Sequence, residues 1–117
     1  MQSYFFIHLN KRFVRVNVKD IRYVLSIHHH IKIFTDREVL MPHLSLKQLE
    51  EVLPDNSFVR VNRGTLISLD RVLFFDKDTV FIKDACFSFS DKFKKEFDSK
   101  ITVMLHQEAK SEEKQKE

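Results

Sequence analysis

The chain has 117 residues, 43% hydrophobic and 32% charged, with one Gly, two Pro and one Cys, the profile of a single globular domain with one modest core. No run approaches the roughly 20 apolar residues of a membrane helix, and the N-terminus lacks the basic-then-apolar layout of a secretory signal. A lone Cys86 excludes an internal disulfide framework and any cysteine-pair zinc site. A cytoplasmic protein without membrane insertion is therefore expected. Twenty Lys and Arg against 17 Asp and Glu give a formal charge of +3, a surplus that suits a polyanionic partner without requiring one.

Most of the chain carries β signals, short runs rich in Phe, Val, Ile and Thr broken by Asn, Asp and Lys. Strands are predicted near Tyr4 to Leu9, Arg12 to Val16, Ile21 to Ser26, His30 to Thr35 and Glu38 to Met41. Five more follow near Phe58 to Asn62, Thr65 to Ser68, Val72 to Phe75, Thr79 to Ile82 and Cys86 to Phe89. Turns fall at Asn10-Lys11, Asp36-Arg37, Asp76-Lys77-Asp78 and Lys83-Asp84, where Asn and Asp stand in for missing glycines. Connections this short leave no room for crossover helices, so the pairing should be antiparallel.

Two segments break the rhythm. Ser45 and Gln48 form a capping box, Leu44 can staple against Leu49, and Pro54 supplies a stop, which predicts a short helix over 45–53 with the stripe Leu46, Leu49 and Leu53. A second helix is predicted over 91–105, opening after Ser90 with Asp91 at its positive end and with Phe93, Phe97, Ile101 and Leu105 on one face. The expected domain is all-β dominated with two helical accessories. It occupies residues 1–106, and the charged stretch 107–117, with three Lys against four Glu, reads as a disordered tail.

His28, His29 and His30, with His8, His43, His106 and Cys86, invite a metal hypothesis, but consecutive strand residues point to opposite faces and the paired ligand spacing of structural zinc is missing. No metal and no cofactor is expected. The triplet then reads either as a solvated turn or as a loop donating to phosphate or base edges. Gly64 is the only glycine, so neither a phosphate-binding loop nor a nucleophile elbow can be built, and an enzyme is not expected. The segment Phe58-Val59-Arg60-Val61-Asn62-Arg63-Gly64-Thr65-Leu66-Ile67-Ser68 is more specific: two arginines and an amide, with no acid, lead into that glycine. The glycine can supply a positive φ or let a ligand come close. Either the segment is a hairpin with solvated arginines, or it presents forked donors to phosphates and to guanine and adenine edges.

Several motifs in order resemble the LytTR DNA-binding domain: Lys19-Asp20-Ile21-Arg22-Tyr23, Leu44-Ser45-Leu46-Lys47-Gln48-Leu49-Glu50, Phe58-x-Arg60-Val61-Asn62-Arg63-Gly64-x-Leu66-Ile67, and Phe89-Ser90-x-Lys92. The resemblance spans about residues 4–105. It implies an elongated stack of short antiparallel sheets that binds double-stranded DNA through loops in successive major grooves and regulates transcription. The contacts it implies fall on His28, His29 and His30, on Asn62, Arg63 and Gly64, and on Ser90, Asp91 and Lys92; Arg60 of the Phe-x-Arg strand joins the candidate site. The family often has His at Asn62, Asn at Ser68 and a basic residue at Asp91, and the acid at Asp91 shifts the third contact to Lys92. With no phosphorylatable receiver in the chain, the expectation is a free-standing regulator governed by a protein partner and bound to repeated sites as a dimer, or else an excised domain. The competing reading, from another class, is a β-rich protein-interaction module that does not bind nucleic acid.

Overall fold

The computed structural model describes residues 3–106; the tail expected to be disordered lies outside them. The first hairpin pairs β1 (Tyr4–Leu9) with β2 (Arg12–Asn17) in unbroken register. Its two-residue turn places both Asn10 and Lys11 at positive φ, 52° and 64°, the geometry that matches the twist of a hairpin.

After a single 3-10 turn at Val18–Asp20, β3 (Ile21–Ile27) and β4 (His30–Thr35) form a second hairpin, and β5 (Val39–Leu40) adds a two-residue edge. The helix α1 (Leu46–Glu50) then opens on the complete Ser45–Gln48 capping box. Its expected extension to Leu53 is only a closing turn, because Pro54 disfavours helical backbone at the residue before it; Leu53 is nonetheless buried with Leu46 and Leu49.

The strands β6 (Phe58–Asn62) and β7 (Thr65–Ser68) complete a five-stranded sheet in the order β5-β4-β3-β7-β6. Past a 3-10 turn at Leu69–Arg71, β8 (Val72–Phe75), β9 (Thr79–Ile82) and β10 (Ala85–Ser88) form a three-stranded sheet. Every strand pair is antiparallel.

These layers stack into a body of 61 × 27 × 25 Å. One core joins the first hairpin, α1 and one face of the large sheet through Ile7, Val16, Ile21, Val24, Leu49 and Leu66. A second lies on the opposite side, where Val59, Val61 and Ile67 meet Val80 and Phe97. All four β7 residues are buried because this strand sits between the two cores.

The C-terminal helix α2 (Asp91–Ser99) is shorter than the expected 91–105. The run Ile101-Thr102-Val103 is β-branched and loses rotamer freedom in a helix. Lys100 also anchors the helix end, its Nζ donating to the Asp55 and Phe58 carbonyls at 2.7 and 3.2 Å. Phe97 is fully buried with ring centroids 4.9 Å from both Phe75 and Phe89, and Ile101 packs on the same core beyond the helix, whereas Leu105 is exposed. Truncating Phe97 to Ala would cost about 3–5 kcal/mol.

Candidate nucleic-acid interface

Strand β3 delivers the chain to the turn His28-His29, and β7, antiparallel to it, starts with Thr65 opposite Leu25. The β6–β7 turn therefore lies at the same end of the sheet as the histidine turn. The Ser26 N–H donates to the Gly64 carbonyl at 2.9 Å and ties the two together.

The β6–β7 turn is held from within and from behind. Asn62 Oδ1 accepts from the Gly64 N–H at 3.0 Å, a side-chain mimic of a backbone turn, and Asn62 Nδ2 donates to the Ser88 carbonyl at 2.9 Å. The Ser90 N–H donates to the Val61 carbonyl at 3.0 Å. Thus the end of β10, 26 residues further along, and the Ser90 cap of α2 are laced to the same turn. Ser90 caps α2 by position, with no side-chain bond to the helix, so its hydroxyl is not spent on capping.

Arg60 braces the turn from below. Its Nε and Nη2 donate to Glu50 Oε1 at 3.1 and 2.8 Å, and its Nη1 donates to the Arg63 carbonyl at 3.1 Å. One arginine is thereby spent on holding the backbone of the other. The Arg63 side chain is exposed, and no bond to it is found among the described residues.

The sequence-derived candidates thus divide by geometry. His28, His29, Arg63, Ser90 and Lys92 are exposed, on three segments that hydrogen bonds hold together at one end of the five-stranded sheet. Asn62 and Arg60 hold that arrangement together. His30 turns the other way: it is half-buried, its ring centroid 3.8 Å from that of His43. The difference is that His28 and His29 make up the turn, whereas His30 is the first residue of β4.

Gly64 does neither thing a turn glycine usually does for its own chain. Its φ is not positive, and a Cβ built on it would meet Ser26 Cβ at 4.0 Å, ordinary contact. The left-handed residue at this end is His28, with φ of 53°, a conformation in which His is enriched among non-glycine residues.

A cleft of about 400 Å³ beside the turn is lined by Ser26, Ser45, Lys47, Arg60, Arg63 and Gly64, among others. Ser26, Ser45 and Lys47 were not legible as site residues. The capping box marks where α1 starts, but nothing in its spacing says that Lys47 lands beside Arg63.

A family profile for the LytTr DNA-binding domain matches residues 11–102. The chain belongs to the LytTR family. Its function class is accordingly DNA binding and transcription regulation, with DNA as partner. A solved LytTr DNA-binding domain from Bacillus cereus is similar to this chain, with a TM-score of 0.72 and 14% identity, covering 88% of this chain and 100% of that one. No curated relative matches the LytTR chain by sequence. No helix among the described residues is long and apolar enough to cross a membrane, and no group of three or more His, Cys, Asp or Glu among them is arranged to hold a metal ion.

Proposed function

We propose that this LytTR domain reads double-stranded DNA with three short segments of one end: the His28-His29 turn, the Arg63-Gly64 turn and the Ser90–Lys92 start of α2. It acts as a binding module rather than an enzyme, and as a cytoplasmic regulator of transcription under the control of a protein partner. The observation that carries the reading is the lacing of the three segments by Ser26–Gly64, Asn62–Ser88 and Ser90–Val61 hydrogen bonds. Segments far apart in sequence are held as one rigid edge that bears donors not used within the fold.

The division of labour follows from chemistry. Arg63 projects a planar fork from a braced turn, and the commonest specific contact of such a fork is the O6 and N7 pair of guanine in the major groove. Lys92 lies at a helix start, where an ammonium and free backbone N–H groups suit a phosphate oxygen. Asp91 beside it repels phosphate, so the contact at this segment belongs to Lys92. His28 and His29 donate to the flanking backbone or bases.

Selection from a random duplex pool at moderate salt tests this reading. An enriched motif, with affinity falling steeply as salt rises, is expected if several phosphates are contacted. Affinity that is independent of salt, or binding untouched by changes at all three segments, overturns it.

A further inference from the structure

Strand β1 is an edge that lacks the usual protection against pairing. Natural edge strands are kept apart from other chains by charges, bulges, brevity or a covering element. Here β5 is two residues long, β6 lies under α2, β8 has a register break between Val72 and Phe74, and β10 packs on β6. β2 carries Arg12 and Arg15. β1 has none of these: its six residues, Tyr-Phe-Phe-Ile-His-Leu, bear no Lys, Arg, Asp or Glu, its register to β2 is unbroken, and no strand pairs its other side among the described residues.

The free edge faces a groove of about 650 Å³ whose far wall includes His30, Met41, His43, Leu44 and Val52, again without a Lys, Arg, Asp or Glu. The outward face of the strand is aromatic as well, with Tyr4 40% and Phe6 54% exposed.

We propose that β1 is a self-association edge, which pairs antiparallel with β1 of a second copy of this chain in a register centred on Phe6. Directly opposed residues in an antiparallel ladder point to the same face, so only registers that keep outward residues against outward ones are allowed. Centring on Phe6 sets Phe6 against Phe6 of the second copy, Tyr4 against His8, and Phe5 against Ile7. Both faces are then matched, apolar inside and aromatic outside. The alternative centred on Ile7 places Tyr4 opposite Asn10, a left-handed turn residue where a ladder stops. Self-pairing through β2 would instead bring arginines of the two copies together. The symmetry is that of an isologous dimer. On the reading of the DNA-binding end given above, it presents two such ends related by a two-fold axis, the symmetry of an inverted-repeat site.

The test uses the full chain without DNA, so its outcome is separate from that of the DNA reading. In sedimentation equilibrium across the micromolar range, the wild type is expected to dimerise and Phe6→Lys to associate about tenfold more weakly or not at all; Phe6 faces outward, and an unchanged circular dichroism spectrum checks the fold. In a Cys86→Ser background, Phe6→Cys is expected to form a disulfide with itself under mild oxidation, since opposed residues lie within disulfide reach. Tyr4→Cys or His8→Cys alone should not cross-link, while a mixture of the two should. A wild type that stays monomeric, a dimer indifferent to Phe6→Lys, or cross-linking by Tyr4→Cys alone as readily as by Phe6→Cys would overturn the proposal.

Discussion

The two ends of the five-stranded sheet use arginine in opposite ways. At the end where β3 begins, Arg71 donates to both oxygens of Asp36 at 2.7 Å and to the Lys19 carbonyl at 2.8 Å, Arg37 lies 3.8 Å from Asp20, and Arg22 donates to the Thr35 carbonyl. At the end where β3 finishes, the Glu50 carboxylate is taken by Arg60, whose Nη1 also holds the Arg63 carbonyl, while the Arg63 side chain stays displayed. The difference is one of solvation. A guanidinium matched to a carboxylate inside the fold has little left to offer a polyanion, whereas one whose backbone is fixed and whose head is wet can exchange water for phosphate or base at low ordering cost.

The contrast is sharpest in paired substitutions. Arg63→Ala is expected to cost about 1–3 kcal/mol of binding on a cognate duplex and to relax preference at one base pair, with no loss of thermal stability. Arg71→Ala should do the reverse, lowering the melting temperature while leaving affinity and salt slope alone. Lys92→Ala should weaken cognate and scrambled duplexes alike and reduce the salt slope by about one. Equal losses on both duplexes for Arg63→Ala would end its base-reading role and leave the DNA-binding class standing.

Gly64 offers a cleaner separation of fold from ligand. Because its φ is not positive and an added methyl meets only Ser26 Cβ at 4.0 Å, Gly64→Ala should fold with stability unchanged or slightly raised. If the open space above the turn is where DNA comes close, the same methyl should weaken binding about tenfold, or ~1.4 kcal/mol. A variant that binds as the wild type does would leave the glycine without a function at the interface.

His28 should respond in the same sense on stability, to a substitution in the reverse direction. A non-glycine residue at φ of 53° carries a steric cost, so His28→Gly is expected to stabilise the fold by about 0.5–1 kcal/mol in chemical denaturation, while removing one exposed donor and weakening duplex binding. A drop in stability would show that the imidazole is held by more than its backbone.

Much of the local structure was legible because it is decided within a few residues. The Ser45–Gln48 box has both of its bonds, the Asn10-Lys11 turn needs no glycine, and the strand runs from Phe58 to Ile82 fall within the expected bounds. What was not legible depends on register between distant strands. Nothing local joins Asn62 to Ser88 or Arg60 to Glu50, so the sequence could not show that two of the chain's most suggestive polar residues are hydrogen-bonded into the frame of the β6–β7 turn. The glycine misled for a related reason: its conformational freedom is visible in sequence, but whether the backbone spends it is settled by the turn. The end of α2 was hidden because Phe93, Phe97 and Ile101 keep helical spacing while Lys100, tied to the 55–58 segment, ends the helix between them.

The smallest effect belongs to the paired end and is read through pH. Hydrogen bonding to Arg71, with the positive charges of Arg71, Arg22 and Arg37 behind it, holds the Asp36 carboxyl below its ordinary value of 3.8, and the same partnership raises Arg71. A depressed folded-state pKa stabilises the fold fully above the unfolded value, and that contribution is lost as pH falls through the lower folded value. The gap in melting temperature between the wild type and Asp36→Asn should therefore be constant from neutral pH down to the ordinary carboxylate range and close only below it. The pair is partly exposed, with the Arg71 and Asp36 side chains 30% and 44% accessible, so the gap is expected to be modest and to shrink with added salt. DNA affinity of Asp36→Asn, measured at neutral pH, should match the wild type. If it does not, the two ends of the sheet are not independent, and the division between arginines that hold the fold and arginines that meet the ligand has to be redrawn.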